Sequence, residues 1–150
     1  MQLKPLFIIT VELGENKSVG DMGRGTRRIA EITGGTFEGE QLRGEVMSPA
    51  ADWLVTDSTG MGQLDVRLTL ATDDDCYIYM HYTGVLELNE AVLTAVGGGT
   101  ETDFGDSYFF SQPRFESGSK KYAWLNNTIA IAQGRLLPGA VQYQVYGCSN

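Results

Sequence analysis

Short apolar runs alternate with glycines along nearly the whole chain, and this rhythm constrains the fold more than any other feature. Many of the nineteen glycines lie between the runs, for example at Gly34, Gly35, Gly60 and Gly84. Alternation of period two within the runs is typical of β-strands, and helical periodicity is almost absent. The sequence therefore predicts an all-β sandwich or barrel. The predicted strands cover residues 5–13, 27–38, 41–48, 52–57, 63–73, 76–83, 107–116, 122–133 and 140–147.

One segment, residues 89–96, departs from the strand pattern. Leu88, Val92 and Ala95 share one helical face there. Asn89 is a suitable N-cap, and the glycine triplet that begins at Gly97 is suited to ending a helix. The sequence therefore predicts one short helix at 89–96, packed on one end of the sheet. A mobile loop is expected to follow at 97–106.

Composition excludes several classes of function. The length of 150 residues predicts one domain over 1–150, and eleven basic against nineteen acidic residues give a net charge of −8. Such a surface repels nucleic acid. No apolar stretch is long enough to span a bilayer and no secretory signal is recognised, so a cytoplasmic protein without a membrane partner is expected. With one histidine and two distant cysteines, the sequence predicts neither a metal site nor a cofactor.

Several predicted strands carry one aliphatic face and one mixed face of aromatic and polar side chains. Within residues 64–71, the four aliphatic side chains alternate with Asp65, Arg67 and Thr69. Two arrangements fit. In the first, the aliphatic faces form the core and the mixed faces meet water. In the second, the mixed faces line the lumen of a small barrel that holds one ligand. We take the second as the prediction, which places seven side chains inside: Arg43, Glu45, Asp65, Arg67, Tyr79, Trp124 and Asn126.

Motifs spread over most of the chain resemble those of one protein family. They are Arg27 to Ile29, Ile32 to Gly39, Leu42 to Val46, Ala51 to Trp53, Leu64 to Arg67, Thr69 to Leu70, Thr72 to Asp74, Ile78 to Tyr79, Pro113 to Glu116 and Tyr122 to Asn126. Together they are similar to the β-barrel family called domain of unknown function 3237. The departures are Ala50, where a glycine is common, and Asp75, where the aspartate turn usually ends in glycine.

The resemblance implies an antiparallel up-and-down β-barrel of about eight to ten strands that associates with itself, as a homodimer or a higher oligomer. Some fungal members resemble accessory proteins of polyketide pathways. The polar positions of the shared motifs are candidates for binding substrate, apart from those given catalytic roles below. The substrate-binding candidates are Arg43, Glu45, Trp53, Arg114, Glu116, Tyr122, Trp124 and Asn126.

The leading functional hypothesis is a cofactor-independent lyase, isomerase or cyclase that acts on an aromatic or polyketide-like substrate in the lumen. Asp52 or Asp65 is the expected general acid or base, because a carboxylate kept from water can have its pKa raised toward neutrality. Arg67 would stabilise an enolate-like oxygen, and Tyr79 or His81 would relay a proton. The alternative is a non-catalytic, lipocalin-like carrier of a small hydrophobic ligand. A structural protein is the third hypothesis.

Overall fold

Eight antiparallel strands close into a single barrel in the computed structural model, which describes residues 1–150. Each strand pairs with the next along the chain, and β8 pairs with β1 to close the ring. The up-and-down barrel prediction is therefore confirmed. The strands are β1 (Gln2–Asp21), β2 (Thr26–Glu38), β3 (Arg43–Thr56), β4 (Met61–Thr72), β5 (Tyr77–Glu87), β6 (Phe109–Glu116), β7 (Ala130–Leu137) and β8 (Ala140–Ser149).

Three parts of the strand prediction differ from the structure. The strand predicted at 5–13 is too short, because β1 continues to Asp21 and pairs with β2 along that extension. The segments 41–48 and 52–57 form one strand, β3, which continues through an irregularity near Pro49. The strand predicted at 122–133 is wrong in its first half, because Ala123–Asn127 is a short 3-10 helix, η1. The Leu125 N–H donates to the Tyr122 carbonyl at 3.0 Å and thereby closes this turn. The alternation of aromatic and polar residues here is a feature of the turn and not of a strand.

The predicted helix is confirmed as α1 (Glu90–Gly98). The Asn89 side chain accepts a hydrogen bond from the Val92 N–H at 3.0 Å, and Gly99 ends the helix with a left-handed φ of 64°. Val92 and Ala95 pack into the core. The loop after α1 is tied to β7, since Thr102 exchanges hydrogen bonds with Leu136 through both its backbone and its hydroxyl. No helix of the protein is long and apolar enough to cross a membrane.

The aliphatic strand faces point inward and fill the barrel. A cluster of 27 buried residues occupies the interior, including Leu68, Leu70 and Ile78. The prediction that the mixed faces line a ligand-holding lumen is therefore wrong. An eight-stranded barrel is just wide enough for its own side chains, and here large aliphatic and aromatic groups occupy that space. The mixed faces form the outer wall.

Candidate functional site

Seven of the predicted site residues gather on the outer wall formed by β3 to β6. Arg67 pairs across the ladder with His81, which pairs in turn with Arg114. One row away, Tyr79 pairs with Glu116. Directly opposed side chains on one face of a sheet are neighbours, with Cβ atoms about 4.5–5.5 Å apart. We define the outer-wall site by its members: Trp53, Asp65, Arg67, Tyr79, His81, Arg114 and Glu116.

Asp65 and His81 form a pair at the centre of this site. The Asp65 Oδ1 atom lies 2.9 Å from His81 Nε2. The side chains are 43% and 35% exposed, respectively, so both remain accessible to a small molecule. A carboxylate bonded to one ring nitrogen fixes the orientation of an imidazole. The pair therefore presents an oriented imidazole at the surface of the wall.

A shallow trough lies on the outer wall and is lined by Arg67 and Tyr79, two neighbours of His81 on the sheet. Its first part is lined by Trp53, Arg67 and Tyr79 together with Pro49 and Thr69. It shares Thr69 and Tyr79 with a second part that extends to Glu116 and Asn126. The trough thus combines three aromatic side chains, Trp53, Tyr77 and Tyr79, with the Arg67 guanidinium. Such a surface can accept a flat ligand that carries a polar group.

The β3–β4 ladder is interrupted directly behind the trough. The register runs to Asp52 opposite Val66 and resumes at Val55 opposite Gln63. In the gap, the Trp53 carbonyl accepts a hydrogen bond from Arg27 Nη1 at 2.7 Å. The Asp65 N–H donates to Asp52 Oδ1 at 3.0 Å. The side chains of Arg27 and Asp52 therefore form the hydrogen bonds that these two backbone groups do not form within the ladder.

Asp52 belongs to the inner side of the wall. It pairs with Ala30 on β2 and Val66 on β4, which are both buried. The pKa of the Asp52 carboxyl is raised to about 6, mainly by burial, with a smaller contribution from the Asp65 charge, while the hydrogen bond from the Asp65 N–H opposes the change. Asp52 is thus a carboxyl that changes its charge around pH 6.

Two buried tyrosines near Asp52 were not among the predicted site residues. The rings of Tyr82 and Tyr143 meet edge to face with centroids 5.2 Å apart. Burial raises the pKa of both phenols, and the Asp52 charge adds to the effect, so both stay protonated. The alternation in the sequence could have predicted the burial of Tyr82, because this residue shares its strand face with Ile78 and Met80.

Four other predicted site residues lie apart from the Asp65–His81 pair. Arg43 is 3.9 Å from Glu38, and with Glu45 it lines a separate groove near the aspartate turn. Tyr122 is buried and its hydroxyl donates to Asp74 Oδ1 at 2.8 Å. Trp124 lines a third groove, between the ends of β1 and β8. These four residues lie apart because the mixed faces point outward and because residues 123–127 form η1. The prediction had placed the mixed faces inside and a strand at 122–133.

Asn126 lies at the edge of the trough, but its amide is used by the backbone. It accepts from the Ser117 N–H at 2.7 Å and donates to the Ser117 carbonyl at 3.0 Å. No group of three or more histidine, cysteine, aspartate or glutamate side chains is placed to hold a metal ion, and Cys76 and Cys148 are free thiols.

The fold and the site define a small antiparallel β-barrel with a filled interior and an acid–base cluster on its outer wall. The chain belongs to the family described as protein of unknown function (DUF3237), whose model matches residues 1–148. A β-barrel-like protein from Acinetobacter baumannii has a similar structure, with a TM-score of 0.83, 36% identity and coverage of 97% of this chain and 94% of that one. A UPF0311 protein from Rhodopseudomonas palustris is 32% identical over 83% of this chain and 82% of its own length.

Two fungal proteins are more distant. One from Penicillium roqueforti, named PR-toxin biosynthesis cluster protein 7, is 27% identical over 86% of this chain and 80% of its own length. A crystal structure described as an enzyme from Penicillium herquei has a TM-score of 0.68 at 17% identity, covering 96% of this chain and 93% of that one. The second likeness establishes a common fold.

Proposed function

We propose that the protein is a cofactor-independent enzyme of the lyase, isomerase or cyclase type, which acts on an aromatic or polyketide-like substrate in the trough of the outer-wall site. The observation that carries the proposal is the 2.9 Å contact between Asp65 and His81 beside a free Arg67. General acid–base catalysis needs a proton carrier within hydrogen-bond reach of the substrate and a group that orients it. Here both are on rigid neighbouring strands.

Each part of the site has a role in this mechanism. His81 moves the proton to or from the substrate carbon or oxygen, and Asp65 orients the imidazole. Arg67 stabilises the negative charge that develops on an enolate-like oxygen. Trp53 and Tyr79 provide flat walls for a conjugated ring. Asp52 acts as a positioning residue, because it holds the Asp65 backbone through the N–H.

The fungal relative supports a role in biosynthesis, since its name places it in a toxin biosynthesis cluster. The carrier alternative needs a protected space for a hydrophobic ligand. The barrel interior is occupied by the core cluster, and the trough is open to water. An open trough with an acid–base pair suits turnover better than storage.

The test is turnover of candidate substrates by the purified protein. Linear poly-β-ketones and phenolic acids are incubated with it, and products, as well as deuterium uptake from D₂O at acidic carbons, are followed by mass spectrometry. Asp65→Asn and His81→Gln are expected to lower turnover by roughly a hundredfold or more. Asp73→Asn is the matched control, an exposed aspartate outside the outer-wall site. Full turnover in both site variants would refute the proposal, and wild-type binding without product would support the carrier.

A further inference from the structure

We propose that the outer-wall site recognises its ligand by a carboxylate, bound by a row of three basic side chains. The row consists of Arg67, His81 and Arg114, which are direct neighbours across β4, β5 and β6. We call it the basic row. The inference concerns the substrate class of the proposed enzyme and so shares its site, but it depends on charge and geometry and not on the reaction.

Neither guanidinium of the basic row has a partner within the protein. This is also true of Arg24 and Arg28, but only the row places two such groups beside the imidazole of the single histidine. The chain carries a net charge of −8, so acidic groups are plentiful. The four ion pairs of the structure are Glu38–Arg43, Asp65–His81, Asp74–Lys121 and Asp103–Arg135. Neither Arg67 nor Arg114 is in any of them, and neither donates a hydrogen bond within the protein. Two free guanidiniums flank an imidazole that is itself held by a carboxylate.

The spacing of the row fits an anion of limited size. Adjacent strands are about 4.8 Å apart, so the Arg67 and Arg114 backbones are separated by roughly 10 Å across β5. Side chains of this length can converge above His81, where a carboxylate would receive paired N–H donors. The fork of a guanidinium matches the two oxygens of a carboxylate better than it matches a single oxygen.

The surroundings of the row define the rest of the ligand. Trp53 and Tyr79 line the trough beside Arg67, which favours a flat, conjugated body attached to the carboxylate. Glu116 stands one row away opposite Tyr79 and would repel a second negative charge at that end. The geometry therefore points to an aromatic or conjugated monocarboxylate with a neutral far end.

Benzoate and its neutral analogue benzamide are the probes for this inference. Binding is followed by NMR through the Trp53 indole N–H, the arginine Nε–H groups and the His81 ring. Benzoate is expected to shift these signals with saturation, and benzamide to bind at least roughly tenfold more weakly, because it lacks the charge-assisted hydrogen bonds. Arg67→Gln and Arg114→Gln should each weaken benzoate by roughly tenfold, and Arg67→Lys by less than Arg67→Gln.

Arg43→Gln is the matched control, since Arg43 is an exposed arginine in another groove with Glu38 beside it. Equal binding of benzoate and benzamide would overturn the inference, and so would benzoate affinity that survives both Arg67→Gln and Arg114→Gln. The two proposals fail separately. Benzoate binding with no turnover of any substrate counts against the enzyme alone, whereas turnover by a protein that binds benzoate and benzamide equally counts against carboxylate recognition alone.

Discussion

Asp52 and Asp65 lie on opposite faces of the barrel wall and are joined through it, because the Asp65 N–H donates to the Asp52 carboxylate at 3.0 Å. In a regular ladder that N–H would bond to a carbonyl of β3. The side chain of Asp52 replaces the carbonyl, and Arg27 binds the Trp53 carbonyl instead. A buried carboxylate thus controls the backbone position of the residue that orients His81.

Asp52→Asn is expected to stabilise the protein at neutral pH. The pKa of Asp52 is raised by burial from 3.8 to about 6, so the folded state keeps a proton that the unfolded chain has released. The free energy of unfolding therefore falls as pH rises from about 4 to about 6. Above about pH 6 the full loss, at most about 3 kcal/mol, is present. An asparagine side chain does not ionise, so the variant avoids this loss of stability, and its amide oxygen can still accept a hydrogen bond from the Asp65 N–H.

Urea unfolding of both proteins at pH 4 and pH 7.5 measures this difference. The variant should gain stability over the wild type at pH 7.5 and lose the advantage at pH 4. Asp73→Asn controls for the removal of one acidic charge from the surface. A constant difference between variant and wild type across this range would contradict the assigned burial of Asp52.

Gly134→Ala is expected to destabilise the barrel. A Cβ at this position of β7 would lie 2.8 Å from three ring atoms of Phe109, which packs directly on the glycine. Overpacking of a filled core costs about 1–3 kcal/mol. Gly97→Ala is the matched comparison in α1, where a Cβ meets nothing within 4 Å. It should stabilise by about 0.5–1 kcal/mol. Thermal unfolding measures both, and equal midpoints would contradict the packing described.

Asp74→Asn is expected to loosen η1 without unfolding the barrel. Hydrogen bonds from Lys121 and Tyr122 hold the pKa of Asp74 well below its usual range. The stabilisation is thus fully present above the ordinary pKa near 3.8 and is lost as pH falls below that value. Amide exchange of residues 122–128 should be faster in the variant at pH 6, with β4 unchanged. The difference should narrow below pH 4, and exchange that accelerates everywhere would argue against a local role.

Self-association stays a prediction, and the aliphatic strand faces give no reason for it, because they are inside the barrel. The outer wall instead exposes apolar side chains on and beside β6 and β7. Among them, the rings of Tyr108 and Phe110 meet edge to face with centroids 4.9 Å apart. We expect a second copy to cover them. Sedimentation should give a homodimer that Phe110→Asp dissociates, and a 16.4 kDa species alone at high concentration would refute it.

The sequence was sufficient to predict which side chains share a strand face, but not which face points into the barrel. Alternation establishes that Leu68 and Leu70 share a face opposite Arg67 and Thr69. Which face is inside depends on how eight strands close and on the volume left within, which local pattern does not contain. The helix was predictable because its signals are local, with Asn89 at one end and Gly99 at the other.

Which residues lie together in the candidate site could be predicted from the sequence, but their location on the outer wall could not. Asp65, Arg67, Tyr79 and His81 share the mixed faces of β4 and β5, so they stay together whichever way the sheet turns. The environment of Asp52 depends on the interrupted ladder, a feature that has no sequence signature. Trp124 was misplaced because it was assigned to a strand, whereas residues 123–127 form a 3-10 helix, in which side chains repeat every three residues and not every two.

The pairing of β1 with β8 has a consequence for how the chain reaches its native state. Gln2 lies opposite Ser149 and Val11 opposite Val141, so the contacts that close the ring join segments about as distant in sequence as the chain allows. The loop-closure entropy of such contacts is large, and topologies dominated by them fold slowly. During synthesis, β1 therefore waits with one edge unpaired until β8 has left the ribosome, and in that interval it is exposed to pairing with another chain.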